Sequence, residues 1–117
     1  MVTAFGKFLR TIRVENDLIL KDMADTLGVS AAQLSAMELG NRTIQDSIVQ
    51  KIKNMYKFSP EIDVQHLADI SQPSMKMDLK PANDKQRETM VMFARAFTEL
   101  SNEQLQSVQD LLNNDRK

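Results

Sequence analysis

Four carboxylates fall in two close pairs, Asp22 with Asp25 and Glu61 with Asp63, a spacing that general acid–base chemistry can use. Neither pair is accompanied by a nucleophile or by a set of metal ligands, so solvated helix faces account for both. The single histidine, His66, excludes a multi-histidine metal site. Without cysteine there is no disulfide framework, thiolate zinc site or cysteine nucleophile. Gly6, Gly28 and Gly40 stand apart, which excludes a P-loop or a dinucleotide fingerprint. No catalytic group, metal or cofactor is therefore expected, and no enzymatic activity. The chemistry that remains belongs to basic and amide side chains held on helices.

The elements that would hold them are legible from periodicity and caps. The chain has 117 residues with 42% hydrophobic and 26% charged residues and a net charge of -1, which suits one domain with an appendage. No apolar run approaches the roughly 20 residues that span a bilayer, so no membrane is expected among its partners. In residues 1–13 charges interrupt the apolar side chains, leaving no signal-peptide h-region, and a reducing, cytoplasmic setting is the expectation. Phe5, Phe8, Leu9 and Ile12 make one helical stripe behind an N-cap at Thr3, ended by Asn16 and Asp17. A second helix spans residues 20–27, buries Met23, Ala24 and Leu27, and stops at Gly28. Ser30, with Gln33 at capping-box spacing, opens a third over residues 31–39, ended by Gly40. Ile44, Ile48, Val49, Ile52, Met55 and Tyr56 share a face of a fourth. Ser59 and Pro60 read as N-cap and N1 of a fifth, running to about Ile70.

Residues 18–42 have what a helix-turn-helix requires. Ala24 is small where two helices cross, Gly28 permits a positive φ, Val29 and Leu34 fill the angle between the helices, and Ser30 caps the second of them. At residues 23–30 and 34–40 the chain resembles the Cro/C1-type, or XRE, helix-turn-helix family of phage repressors and bacterial regulators. The resemblance covers about residues 5–70. It implies an all-α fold, a five-helix lambda-repressor-like domain that binds double-stranded DNA, with its third helix in the major groove.

Carried across by position, the resemblance places Ala31, Ala32, Gln33, Ser35 and Ala36 as base readers. Gln33 has the donor and acceptor suited to an adenine edge, and the alanines offer apolar contact, for example to a thymine methyl. Gln33 as the return half of the capping box, and Ser35 as a small packing residue, stand as the alternatives. Asn41, Arg42 and Thr43 fall in the loop that family members lay along the DNA backbone. Lys7, Arg10 and Lys21 are further phosphate candidates, with plain surface charge as their alternative. The family also pairs an Arg with a Glu between its first and third helices, which implies a structural ion pair of Arg13 with Glu38. The family pattern is broken at two places. Ile19 and Leu20 stand where Thr-Gln commonly opens the second helix, and Leu39 stands where a polar or basic residue often precedes the glycine. Leu20 and Leu39 are either core or a protein-binding patch.

Residues 71–82 read as a linker or, from the alternation of Met75, Met77 and Leu79, as a short strand. Asn83 with Gln86 and Ser101 with Gln104 each cap a further helix, and residues 83–117 are expected to form a helical hairpin. So short a segment cannot bury its own apolar stripe, which must pack on the first domain or on a second chain, and dimerisation is the expectation. Residues 1–58 hold 8 basic and 6 acidic residues and residues 59–117 hold 7 and 10, so positive charge gathers in the candidate reading domain. The reading is a sequence-specific transcriptional regulator, expected as a homodimeric repressor on a palindromic operator. The alternative is an XRE-type antitoxin that grips a toxin protein and regulates its own operon.

Overall fold

Thr3 starts the first helix because its extended backbone lets its hydroxyl accept from the Gly6 N–H at 3.1 Å. From there the computed structural model, which describes residues 1–114, is a succession of helices. They are α1 (Ala4–Glu15), α2 (Leu20–Leu27), α3 (Ala31–Glu38), α4 (Asp46–Met55), α5 (Val64–Asp69), α6 (Asp84–Ala96) and α7 (Asn102–Asn114). A 3-10 turn, Phe97–Glu99, follows α6 directly. There is no strand among the described residues. Residues 115–117, the end of the expected C-terminal hairpin, lie outside them.

The chain forms two compact units, Met1–Lys76 and Met77–Lys117. In the first, α2 packs on α3, α1 lies against α3 and α5, and α4 lies against α2 and α5. Their apolar stripes converge on one core that includes Phe5, Leu9, Met23, Leu27, Leu34, Val49 and Ile52. Burial of each such side chain is worth about 1.5–3 kcal/mol. Phe8 and Phe58 close one edge with their rings perpendicular and centroids 5.3 Å apart. Leu20, one of the two departures at the start of α2, packs against this core. Met55, expected on the buried face of α4, is instead exposed.

The fifth helix starts later than its proline suggests. Ser59 and Pro60 form a turn in which the Ile62 N–H donates to the Ser59 carbonyl at 3.1 Å. The N-cap is Asp63, whose carboxylate accepts from the His66 N–H at 3.0 Å. Pro60 pre-sets φ equally well for a turn as for a first helical position, and the next side chain able to cap is Asp63.

In the second unit both expected capping boxes form. The Asn83 side chain accepts from the Gln86 N–H at 2.8 Å and the Ser101 hydroxyl from the Gln104 N–H at 3.1 Å. Phe93 and Phe97 stack at 6.0 Å between centroids. As expected of so short a segment, α6 and α7 bury none of their residues within the single chain. Capping signals act within one turn and form without any partner, whereas burial needs a second surface.

Candidate nucleic-acid interface

α2, the turn at Gly28 and α3 form a helix-turn-helix. Gly28 adopts φ +77°, which the chain needs to leave α2, and its N–H returns to the Asp25 carbonyl at 3.3 Å. Lys51 of α4 donates from Nζ to the Leu27 carbonyl at 3.1 Å, occupying one of the carbonyls left open at the end of α2. On the far side of the turn the Ser30 hydroxyl accepts from the Gln33 N–H at 3.0 Å. Gln33 Oε1 in return accepts from the Ser30 N–H at 2.9 Å. This reciprocal box starts α3 with its first turn accessible: Ser30 and Ala32 are exposed and Gln33 is half-buried.

The nominated base readers divide into two groups. Ala32 is exposed, and Gln33, Ser35 and Ala36 are half-buried. Ala31 is half-buried as well, but it packs against the core. Gln33 is the one whose side-chain oxygen is already engaged, through the box to Ser30.

Glu38 anchors α3 to α1. Arg13 Nη2 donates to Glu38 Oε1 at 2.9 Å while Arg13 Nη1 pairs with Oε2, a two-pronged contact with Glu38 only 2% exposed. Arg13 Nη1 also lies 3.3 Å from the Met23 sulfur, which ties α2 to the same guanidinium. Arg10 Nε approaches Glu38 Oε1 at 3.6 Å with its own side chain 54% exposed. The Glu38 carbonyl accepts from both the N–H and the hydroxyl of Thr3, at 3.0 and 2.9 Å. Gly6 sits against that same carbonyl, so closely that no Cβ fits between them.

The backbone candidates lie on the surface. Lys7, Arg10, Lys21, Asn41, Arg42 and Thr43 are all exposed. Lys21 Nζ is 3.3 Å from Asp25 Oδ2, an exposed pair of the kind that contributes little to stability and yields readily to a phosphate. The loop with Asn41, Arg42 and Thr43 is fastened at both ends. Before it, the Asn41 N–H donates to the Ala36 carbonyl at 2.9 Å. After it, the Gln72 side chain accepts from the Ile44 N–H and donates to the Ile44 carbonyl, each at 2.8 Å. Ser71 beside it is buried, accepting from the Phe5 N–H at 3.1 Å and donating to the Leu67 carbonyl at 2.7 Å.

Ser71, Gln72 and Lys51 are the positioning residues that sequence reasoning passed over. Their partners are backbone groups, which every residue carries, so nothing in the sequence marks the pairing. Among the described residues no group of three or more His, Asp or Glu is placed to hold a metal ion. No helix among them is long and apolar enough to cross a membrane.

An exposed helix start on a tight turn, braced from behind by a buried ion pair and flanked by a surface cation loop, is the arrangement of a helix-turn-helix. A family model described as helix-turn-helix matches residues 9–62. That segment, which spans α2, the turn, α3 and α4, is similar to the Cro/C1-type (XRE) helix-turn-helix family of DNA-binding regulators. No curated protein and no solved structure matches the chain.

Proposed function

We propose that the protein is a homodimeric repressor that binds a palindromic operator, with α3 of each subunit in the major groove. Its base readers are Ala32, Gln33, Ser35 and Ala36, and its phosphate contacts come from Lys7, Lys21, Asn41, Arg42 and Thr43. The observation that carries this is the accessible first turn of α3, capped by Ser30 and Gln33 rather than packed under its own unit. A helix start with an accessible side is what groove entry requires.

Dimerisation rests on the second unit. α6 and α7 are each 13 residues long with none buried, and helices of that length are marginal in water without packing. Met92, Phe97, Leu111 and Leu112 are exposed there, and a second copy would cover them. Two weak reading heads on one dimer also raise avidity by orders of magnitude.

The test is selection of duplexes by the full chain from a random pool, with sedimentation of the free protein. Enriched palindromes whose half-sites lie about one helical turn apart, bound by a dimer, support the reading. A monomer bound to an asymmetric site overturns its dimeric part, and a pool without enrichment overturns it altogether.

A second reading, the antitoxin, is favoured by residues 74–79. They form neither helix nor strand and expose Met75 and Met77, a segment suited to ordering on a protein partner.

A further inference from the structure

The side of α3 facing away from the core carries an apolar stripe, with Ser35 along its edge. Ala32, Ala36 and Leu39 recur at helical spacing opposite Leu34 and Met37, which are buried. Leu39, the residue that ends the helix, is 36% exposed. α3 has no Lys or Arg, and its one carboxylate, Glu38, is buried against Arg13. Beside the stripe stands Gln33, whose Oε1 is turned back to accept from the Ser30 N–H, which leaves Nε2 as the end of its amide not held in the capping box.

This combination narrows which base edge the helix fits. A two-pronged grip on adenine needs the amide's acceptor as well as its donor, and guanine's paired acceptors call for Arg or Lys. A methyl surface beside a single donor matches thymine, which shows a C5-methyl group next to its O4 acceptor in the major groove.

We propose that α3 selects thymine-bearing major-groove edges: the stripe Ala32–Ala36–Leu39 packs on C5-methyl groups and Gln33 Nε2 donates to thymine O4. The inference rests on the DNA-binding reading and specifies the bases it recognises. An apolar stripe also suits a protein partner. DNA is the occupant argued for because the stripe lies on the second helix of a helix-turn-helix whose family binds DNA.

The test uses the full chain and duplexes it selects from a random pool. Deoxyuridine then replaces thymine one position at a time, which deletes the methyl group and leaves O4 in place. Thymine is expected in each half-site, and each contacted methyl lost should weaken binding about fourfold, the factor that burying one such group supplies. In Ala32→Ser and Ala36→Ser chains of unchanged helix content, the preference for thymine over uracil should fall towards one. Successful selection of half-sites without thymine, or equal binding of the uracil duplexes, overturns the thymine inference while leaving the regulator reading intact. A pool with no enriched duplex overturns both and returns the stripe to a protein partner.

Discussion

The side-chain amide of Gln72 pairs with the backbone of Ile44 as a neighbouring strand would, accepting from its N–H and donating to its carbonyl at 2.8 Å each. The two residues are 28 apart in sequence, and the pairing fastens the loop of Asn41, Arg42 and Thr43 to the end of the first unit. Gln72→Leu is expected to leave two backbone groups of Ile44 unpaired, at a cost of about 1–3 kcal/mol. Amide exchange at Ile44 and across residues 41–43 should quicken in the folded protein without DNA. Unchanged protection there would show that the loop does not depend on the amide.

The fork from Arg13 to Glu38 makes a second prediction. Arg13→Met leaves the buried carboxylate only the exposed Arg10, and Glu38→Leu strands a guanidinium, each costing up to about 3–5 kcal/mol. The double variant should lose less than the sum of the two, because neither charge is then left alone. Urea unfolding of the three variants measures this, and strict additivity would mean that the pair does not act as a unit.

Two glycines should respond to alanine for different reasons. At Gly6 the added Cβ meets the Glu38 carbonyl, and α1 must move off α3. Overpacking of this kind costs about 1–3 kcal/mol. At Gly28 the space is adequate apart from the end of Lys51, but φ is +77°, a conformation costing an ordinary residue about 1–2 kcal/mol. Gly6→Ala should therefore perturb the Arg13–Glu38 contact in NMR spectra while Gly28→Ala should not. Equal spectral changes would refute the distinction.

Arg42→Ala is expected to weaken binding to every duplex alike and to flatten the salt dependence by about one unit, as loss of one phosphate contact requires. A loss confined to the selected operator would instead place Arg42 on a base.

Removal of residues 83–117 should yield a monomer whose core is intact and whose operator affinity falls steeply. Sedimentation and thermal unfolding measure both. A truncated chain that stays dimeric would move the subunit contact into the first unit.

Much of the candidate site was legible because its signals act over one helical turn. Caps at Thr3, Ser30, Asn83 and Ser101 and the stop at Gly28 depend only on neighbours in sequence. So does the start of α3 from Ser30, which set Ala32, Gln33 and Ala36 on its accessible side. The error at Ser59 and Pro60 has the same origin, since a turn and a first helical turn ask the same φ of proline.

What needed the folded chain was everything joined across it. The family resemblance anticipates the pair of Glu38 with Arg13, yet nothing in the sequence shows that the Glu38 carbonyl also binds Thr3. Lys51 reads as surface charge and turns out to hold the end of α2. Gln72 lies where composition marks a linker, yet it completes the loop that would meet DNA. Local propensity is written in a few adjacent side chains, whereas the choice among hundreds of equivalent backbone groups is made only when packing brings one of them within reach.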